Sequence, residues 1–112
     1  MTLIIADIKK ALAIDPENLG FDGELYININ SGKAILIQLG VTELDITIDE
    51  STSWPTFDSD IVGEFAKQYL VLKVKSIFDP TASETIRNSF SQEMIMIESR
   101  INHEIDEEIA NV

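Results

Sequence analysis

The hydrophobic positions of this chain form helical stripes near both ends and an ambiguous pattern between them. From Thr2 to Ile14, the side chains of Ile4, Ile8, Ala11 and Leu12 share one face of a helix that Thr2 can cap. Asp15-Pro16 predicts its end, because the residue before a proline is pushed out of the helical region. From about Ser59 to Phe78 the pattern is helical again. Ile61, Phe65, Tyr69 and Leu72 lie on one side, with Val62, Ala66, Leu70, Val74 and Ile77 beside them. So wide a stripe predicts a helix surrounded on most sides, with Lys67, Lys73 and Lys75 on its wetter edge. Asp79-Pro80 ends it. The next helix is then started either by Asp79 with Pro80 in the first position, or by Thr81 and Glu84 as a capping box.

The last helix has the most regular pattern. Ile86, Phe90, Met94, Ile97, Ile101, Ile105 and Ile109 follow one another at spacings of four, four, three, four, four and four. That is one apolar stripe along about six turns. Arg87, Glu93, Glu98, Arg100 and Glu104 occupy the other faces, with Arg100 and Glu104 spaced as an i,i+4 ion pair. Such a helix overhangs three shorter partners, and its distal positions Ile105 and Ile109 need a further surface. That surface is either another subunit or the first helix.

Between the two helical regions, residues 24–41 read "ELYININSGKAILIQLGV". Taken two at a time, Leu25, Ile27 and Ile29 point one way and Tyr26, Asn28 and Asn30 the other, with Ser31-Gly32 where a hairpin turn would sit. Taken at 3.6 residues per turn, Leu25, Ile29, Gly32, Leu36 and Leu39 fall on one stripe, and Asp22 is an N-cap. Periodicity alone leaves hairpin and helix open. A lone hairpin inside a small bundle is hard to stabilise, whereas Gly32 in a helix, though about 1 kcal/mol worse than alanine, permits a close crossing.

Residues 41–60, "VTELDITIDESTSWPTFDSD", carry no helix signal; the alternation of Leu44, Ile46 and Ile48 fits either a short strand or an extended loop. An extended loop of this length within a compact domain is often functional. Trp54 and Phe57 either fold down over the core as a lid or stand out as an aromatic anchor for a partner protein.

At 112 residues with a hydrophobic fraction of 45%, the chain is expected to fold as one globular domain over residues 1–112. Having no cysteine, it has neither disulfides nor thiolate chemistry. No run approaches the ~18 apolar residues that span a bilayer, and "MTLIIADIKK" lacks the basic start of a secretory signal. The expectation is a soluble intracellular or assembly-bound protein without a membrane partner. Twenty acids face eight bases, for a net charge of −12. From Ala34 to Ala66 there is no Lys or Arg, while Glu43, Asp45, Asp49, Glu50, Asp58, Asp60 and Glu64 accumulate; Glu104, Asp106, Glu107 and Glu108 close the chain. Such a field repels nucleic acid and anionic membrane. It serves solubility, or a surface past which DNA slides without sticking.

Catalytic chemistry is poorly supplied. His103 is the single histidine, and its helical neighbours Glu104 and Glu107 offer two or three ligands at a helix end, which reads as a solvated face. No glycine-rich phosphate loop exists, and no serine has a recognisable histidine partner. The expectation is a protein that is not an enzyme, with no cofactor and no metal.

Residues 65–105 bring a known family into view. "YLVLKVKSIFDP" followed by a long helix that carries "IESRIN" resembles the phage head–tail connector proteins, also called head-completion or adaptor proteins. Those have a lysine-bearing penultimate helix ending in Asp-Pro, then a final amphipathic helix with a Glu-x-Arg-Ile/Leu-Asn segment, here Glu98, Arg100, Ile101 and Asn102. More loosely, residues 22–41 sit where the family has a helix with an acidic cap ending in Leu-Gly, here Leu39-Gly40. The resemblance tips residues 24–41 towards helix, against the local preference of Ile27, Ile29, Ile35 and Ile37. It implies an all-α fold: a small four-helix bundle with a long C-terminal amphipathic helix and an extended acidic loop between helices two and three.

The resemblance also implies a role and partners. Such proteins form a ring under the portal protein, twelve-fold on the portal, extend the DNA channel, and meet a stopper or tail-completion protein. They act at the head–tail interface of the virion after assembly in the host cytoplasm, and DNA passes through without specific binding. Mapped here, residues 94–112 are the portal-facing and intersubunit element, with Met94, Ile97, Ile101, Ile105 and Ile109 joined by Trp54 and Phe57 in partner binding. Glu43, Asp45, Asp49 and Glu50 line the channel from the acidic loop. Ile105→Asp and Ile109→Asp are accordingly expected to leave the monomer folded and abolish assembly. The rival expectations are a small acidic binding module, a DNA mimic or regulatory partner, and an enzyme subunit using acids and a divalent metal.

Overall fold

The computed structural model describes residues 2–78 and 83–110, the side chains of the last three excepted. It contains four α-helices, and no strand is formed among the described residues: α1 Ile4–Ala11, α2 Asp22–Gln38, α3 Asp60–Phe78 and α4 Glu84–Ala110, with one 3₁₀ turn at Thr42–Leu44. The described residues are all-α, as the resemblance implies.

α1 is shorter than expected at both ends. Leu3, not Thr2, precedes its first turn, and no side chain caps it; the Thr2 hydroxyl instead donates to Asp7 Oδ2 at 2.7 Å. The helix stops before Asp15-Pro16 because Ala13 takes a left-handed conformation, φ +58°. The Ile14 N–H then reaches the Lys9 carbonyl at 2.9 Å, and the Ala13 N–H reaches that of Lys10 at 3.2 Å. This paired closure satisfies the terminal carbonyls. Ala11, expected in the core, is exposed, while Ile5 and Lys9 are buried with Ile4 and Ile8.

Residues 24–38 of that segment are helical, within α2. Leu25, Ile29, Gly32 and Leu36 are its buried positions, a stripe at i, i+4, i+7 and i+11. A Cβ on Gly32 would lie 2.7 Å from Leu70 Cδ2 and 3.3 Å from Lys73 Cγ, so this glycine does permit the close approach of α3. Asp22 is the first helical residue and not the cap; Phe21 precedes it. α2 ends at Gly40, whose φ of +108° lets the Val41 N–H return to the Leu36 carbonyl at 2.9 Å.

α3 is the central helix. Phe21 meets Phe78 edge-on at 5.1 Å and Gly32 meets Leu70, so α2 runs antiparallel to α3. Lys75 lies over Phe90 and Arg100 over Phe65, so α4 is antiparallel to α3 on its other flank. Val62, Ala66, Tyr69, Leu70 and Val74 of α3 are buried, but Ile61 and Ile77 are exposed and the helix is not surrounded. The molecule measures 46 × 35 × 18 Å. Eighteen ångström is less than two helix diameters, so a helix in this slab keeps a flank open to solvent.

Ser59 caps α3, accepting from the Val62 N–H at 3.2 Å. Ser83 caps α4, accepting from the Ile86 N–H at 3.2 Å. The expected Asp79-Pro80 break and Thr81 cap lie outside the described residues.

The acidic loop is extended yet well anchored. The Ile4 N–H donates to the Thr52 carbonyl at 3.0 Å and the Trp54 N–H to that of Thr2 at 3.2 Å, around an isolated antiparallel bridge from Leu3 to Ser53. Lys33 Nζ donates to the Ile46 carbonyl at 2.9 Å, and Leu44, Ile48 and Trp54 join the core.

Candidate partner-binding surface

The core claims much of what the sequence assigns to partners. Ile97 and Ile101 are 6% and 0% exposed, packed within the chain's own core. Ile101, fully buried, offers no surface to another molecule, which corrects its assignment; Ile97 keeps only the edge that lines the groove between α3 and α4. Met94 and Ile105 are half-buried against the same core, and Ile105 Cδ1 lies 3.0 Å from where a Cβ on Gly40 would stand. Within the chain, the end of α2 and not α1 receives Ile105. The side chain of Ile109 lies outside the described residues. Trp54 is the lid: it is buried, and its indole Nε1 donates to Asp7 Oδ2 at 2.7 Å. Phe57 is half-buried, its ring resting on Gly63 so closely that a Cβ there would stand 2.7 Å from it. These contacts turn both aromatics towards the chain's own core.

What α4 leaves open lies nearer its other end. Ile95 is 64% exposed, with Met96 and Ile86 also in solvent, and the first turns of α4 carry no buried residue. The overhang is therefore at the amino end of the helix. A sign of this stands in the sequence: Met94-Ile95-Met96-Ile97 is four apolar residues in a row, which span a full helical turn and cannot all face one core.

Met96 contributes to a groove of about 620 Å³ between α3 and α4. Val71, Leu72, Met96 and Ile97 give it an apolar lining, Lys67 and Arg100 stand at one end beside Asp7 and Trp54, and Glu93 lies towards the other. Lys67 Nζ is 5.8 Å from the Trp54 ring centre and 3.8 Å from Glu64. Arg100 does not bridge to Glu104; its guanidinium lies 5.8 Å from the Phe65 ring centre.

The four acids expected to line a channel are not equivalent. Glu43 is half-buried, and its Oε2 accepts the Asp58 N–H at 3.0 Å. Asp49 closes a turn: the Ser51 N–H and the Ser51 and Thr52 hydroxyls donate to it at 2.9, 2.9 and 3.0 Å. Those bonds, the backbone one foremost, hold its carboxyl below the usual carboxylate range. Asp45 and Glu50 are exposed.

Sequence reasoning missed Lys9. It is 3% exposed, pairs with Asp22 Oδ1 at 2.8 Å, and donates to the Asn18 and Pro16 carbonyls at 3.1 and 3.3 Å. One ammonium thus fastens the connection between α1 and α2. Its only sequence signal is a lysine next to Ile8, one position off an apolar stripe.

Tyr69, also buried, has its hydroxyl pushed up to about 12, by burial first and then by the charge of Glu98, which accepts its hydrogen bond. The folded state keeps this proton after the unfolded chain has released it, so stability is full below pH 10 and falls between about 10 and 12. By linkage the full fall is about 3 kcal/mol. Urea unfolding at pH 9 and pH 11.5 is expected to show a larger loss for the wild type than for Tyr69→Phe; equal losses would contradict the assignment.

His103 pairs with Glu107 at 3.2 Å on an exposed face. Among the described residues no group of three His, Cys, Asp or Glu side chains could hold a metal ion, and no described helix is long and apolar enough to cross a membrane.

Comparison with known proteins supplies one result. A family model described as phage connector protein matches residues 4–108. No curated protein and no solved structure matches the chain.

Proposed function

The chain belongs to the phage connector protein family, and from that premise we propose that it is the head–tail adaptor of its virion. In this reading copies of the chain close into a ring beneath the portal protein, extend the DNA channel, and present a platform to the stopper or tail-completion protein. The observation that carries the reading is the family match, which runs through all four helices.

Two physical features support it. The net charge of −12 disfavours phosphate contacts, so DNA crosses the ring without being held. Asp45, Asp49 and Glu50 sit on a loop fastened to α1 and α2, so the repelling charges keep fixed positions facing the channel. The exposed apolar side chains Ile86, Ile95 and Met96 then belong to contacts with the portal or the next copy. They replace Ile97 and Ile101 in that role.

Heads assembled without this protein, mixed with purified chain and then with tails, test the reading. The expected outcome is that untreated heads join no tails and treated heads do. Heads that accept tails equally well without the chain would refute it.

A further inference from the structure

We propose that the α3–α4 groove receives residues 17–24 of a second copy of this chain, an inference that rests on the ring reading above and names the surfaces that meet. At a net charge of −12, copies repel on average. A lasting contact must place carboxylates against cations and cover apolar surface at once. The groove offers Lys67 and Arg100 beside Val71, Leu72 and Met96; of the two acids that also line it, Asp7 already accepts from the Trp54 indole and Glu93 lies towards the other end.

The complementary surface is the connection from α1 to α2. No Lys or Arg occurs from Ala11 to Gly32. Leu19 is 69% exposed, Phe21 is also exposed, and the carboxylates of Asp15, Glu17 and Glu24 stand in solvent around them. The connection is held in place: Lys9 grips it from beneath, and Asp15 and Asn18 accept the N–H groups of Glu17 and Gly20 at 2.9 and 3.0 Å. A knob already ordered before binding loses little entropy on docking.

The groove's cations cannot be served by the same molecule's connection. Phe21 meets Phe78 edge-on at the carboxyl end of α3, eleven residues beyond Lys67. At 1.5 Å per residue that is about 16 Å. A contact between two different patches is heterologous, the kind that propagates around a ring.

Three forms of the full chain test this by sedimentation over a range of concentrations: the wild type, a groove variant (Lys67→Glu with Arg100→Glu) and a knob variant (Leu19→Asp). All substitutions lie on solvent-facing positions, and circular dichroism checks that each form is folded. The wild type is expected to form oligomers, and each variant alone to remain monomeric. An equimolar mixture of the two variants is expected to stop at dimers, since each pair retains one intact contact. Adding Glu17→Lys and Glu24→Lys to the groove variant is expected to restore its association, which keeps the test open should Leu19→Asp unfold. Variants that associate like the wild type, a mixture that stays monomeric, or a wild type monomeric throughout would overturn the proposal. A monomeric wild type that still restores tail joining would overturn this contact alone and leave the adaptor reading standing.

Discussion

Ile101→Ala is expected to lower the stability of the folded chain by about 2–5 kcal/mol, the range for removing a large buried aliphatic side chain. Ile101 is fully buried in the core shared with Leu70 and Val74, and the slab is too thin for neighbours to collapse into the space it leaves. Against a total of about 5–15 kcal/mol, that is a large fraction. Ile95→Ala, less than two turns away on the same helix, is expected to change stability by no more than about 0.5 kcal/mol, because Ile95 already stands in water. Urea unfolding of the two variants compares them directly. Equal losses would mean that α4 buries a different face from the one described. Ile105→Asp belongs with Ile101 in this respect, since it places a charge against Gly40 and the core, and it is expected to destabilise the monomer itself.

Lys9→Ala is expected to cost about 3 kcal/mol, near the lower end for breaking a buried ion pair, because Asp22 keeps 22% of its side chain in water. Asp22 Oδ1 is buried and, among the described residues, without a hydrogen-bond donor of good geometry; the charge facing it is the Lys9 ammonium, 2.8 Å away. Removing the lysine leaves that oxygen unpaired and frees the Pro16 and Asn18 carbonyls together. Replacing both charges, Lys9→Met with Asp22→Asn, is expected to recover more than half of the loss, since no uncompensated charge then remains. Thermal melts of the single and double variants read the difference. A double variant less stable than Lys9→Ala would show that the pair is not the source of the effect.

How far the fold can be read from the residues differs from helix to helix. The stripe of α4 was legible because its spacing repeats over six turns, and α3 was legible because two adjacent stripes leave no other period. α2 was not. Alternation at Leu25, Ile27 and Ile29 mimics a strand, and helix prevails because Leu25, Ile29, Gly32 and Leu36 must meet α3 along one line, a tertiary demand that outweighs the β-branched preference. Which part of α4 would be free was likewise hidden. It depends on α2 returning antiparallel to α3, so that Gly40 arrives beneath Ile105, and no local pattern encodes that approach. Lys9 was hidden for the same reason, since its partner Asp22 lies across a connection whose path the sequence leaves open. The candidate site followed suit: Ile97, Ile101 and Trp54 look like anchors in a linear reading because exposed and buried apolar residues look alike until the neighbours are in place.

Single-particle imaging of DNA-filled heads that carry this protein tests the account most directly. A ring of copies at the portal vertex is predicted, with the exposed side chains of Ile86, Ile95 and Met96 covered by portal or neighbour and the 45–50 loop turned to the central channel. Heads whose portal vertex holds no copy of the chain, or a ring in which those side chains stay in solvent, would contradict it.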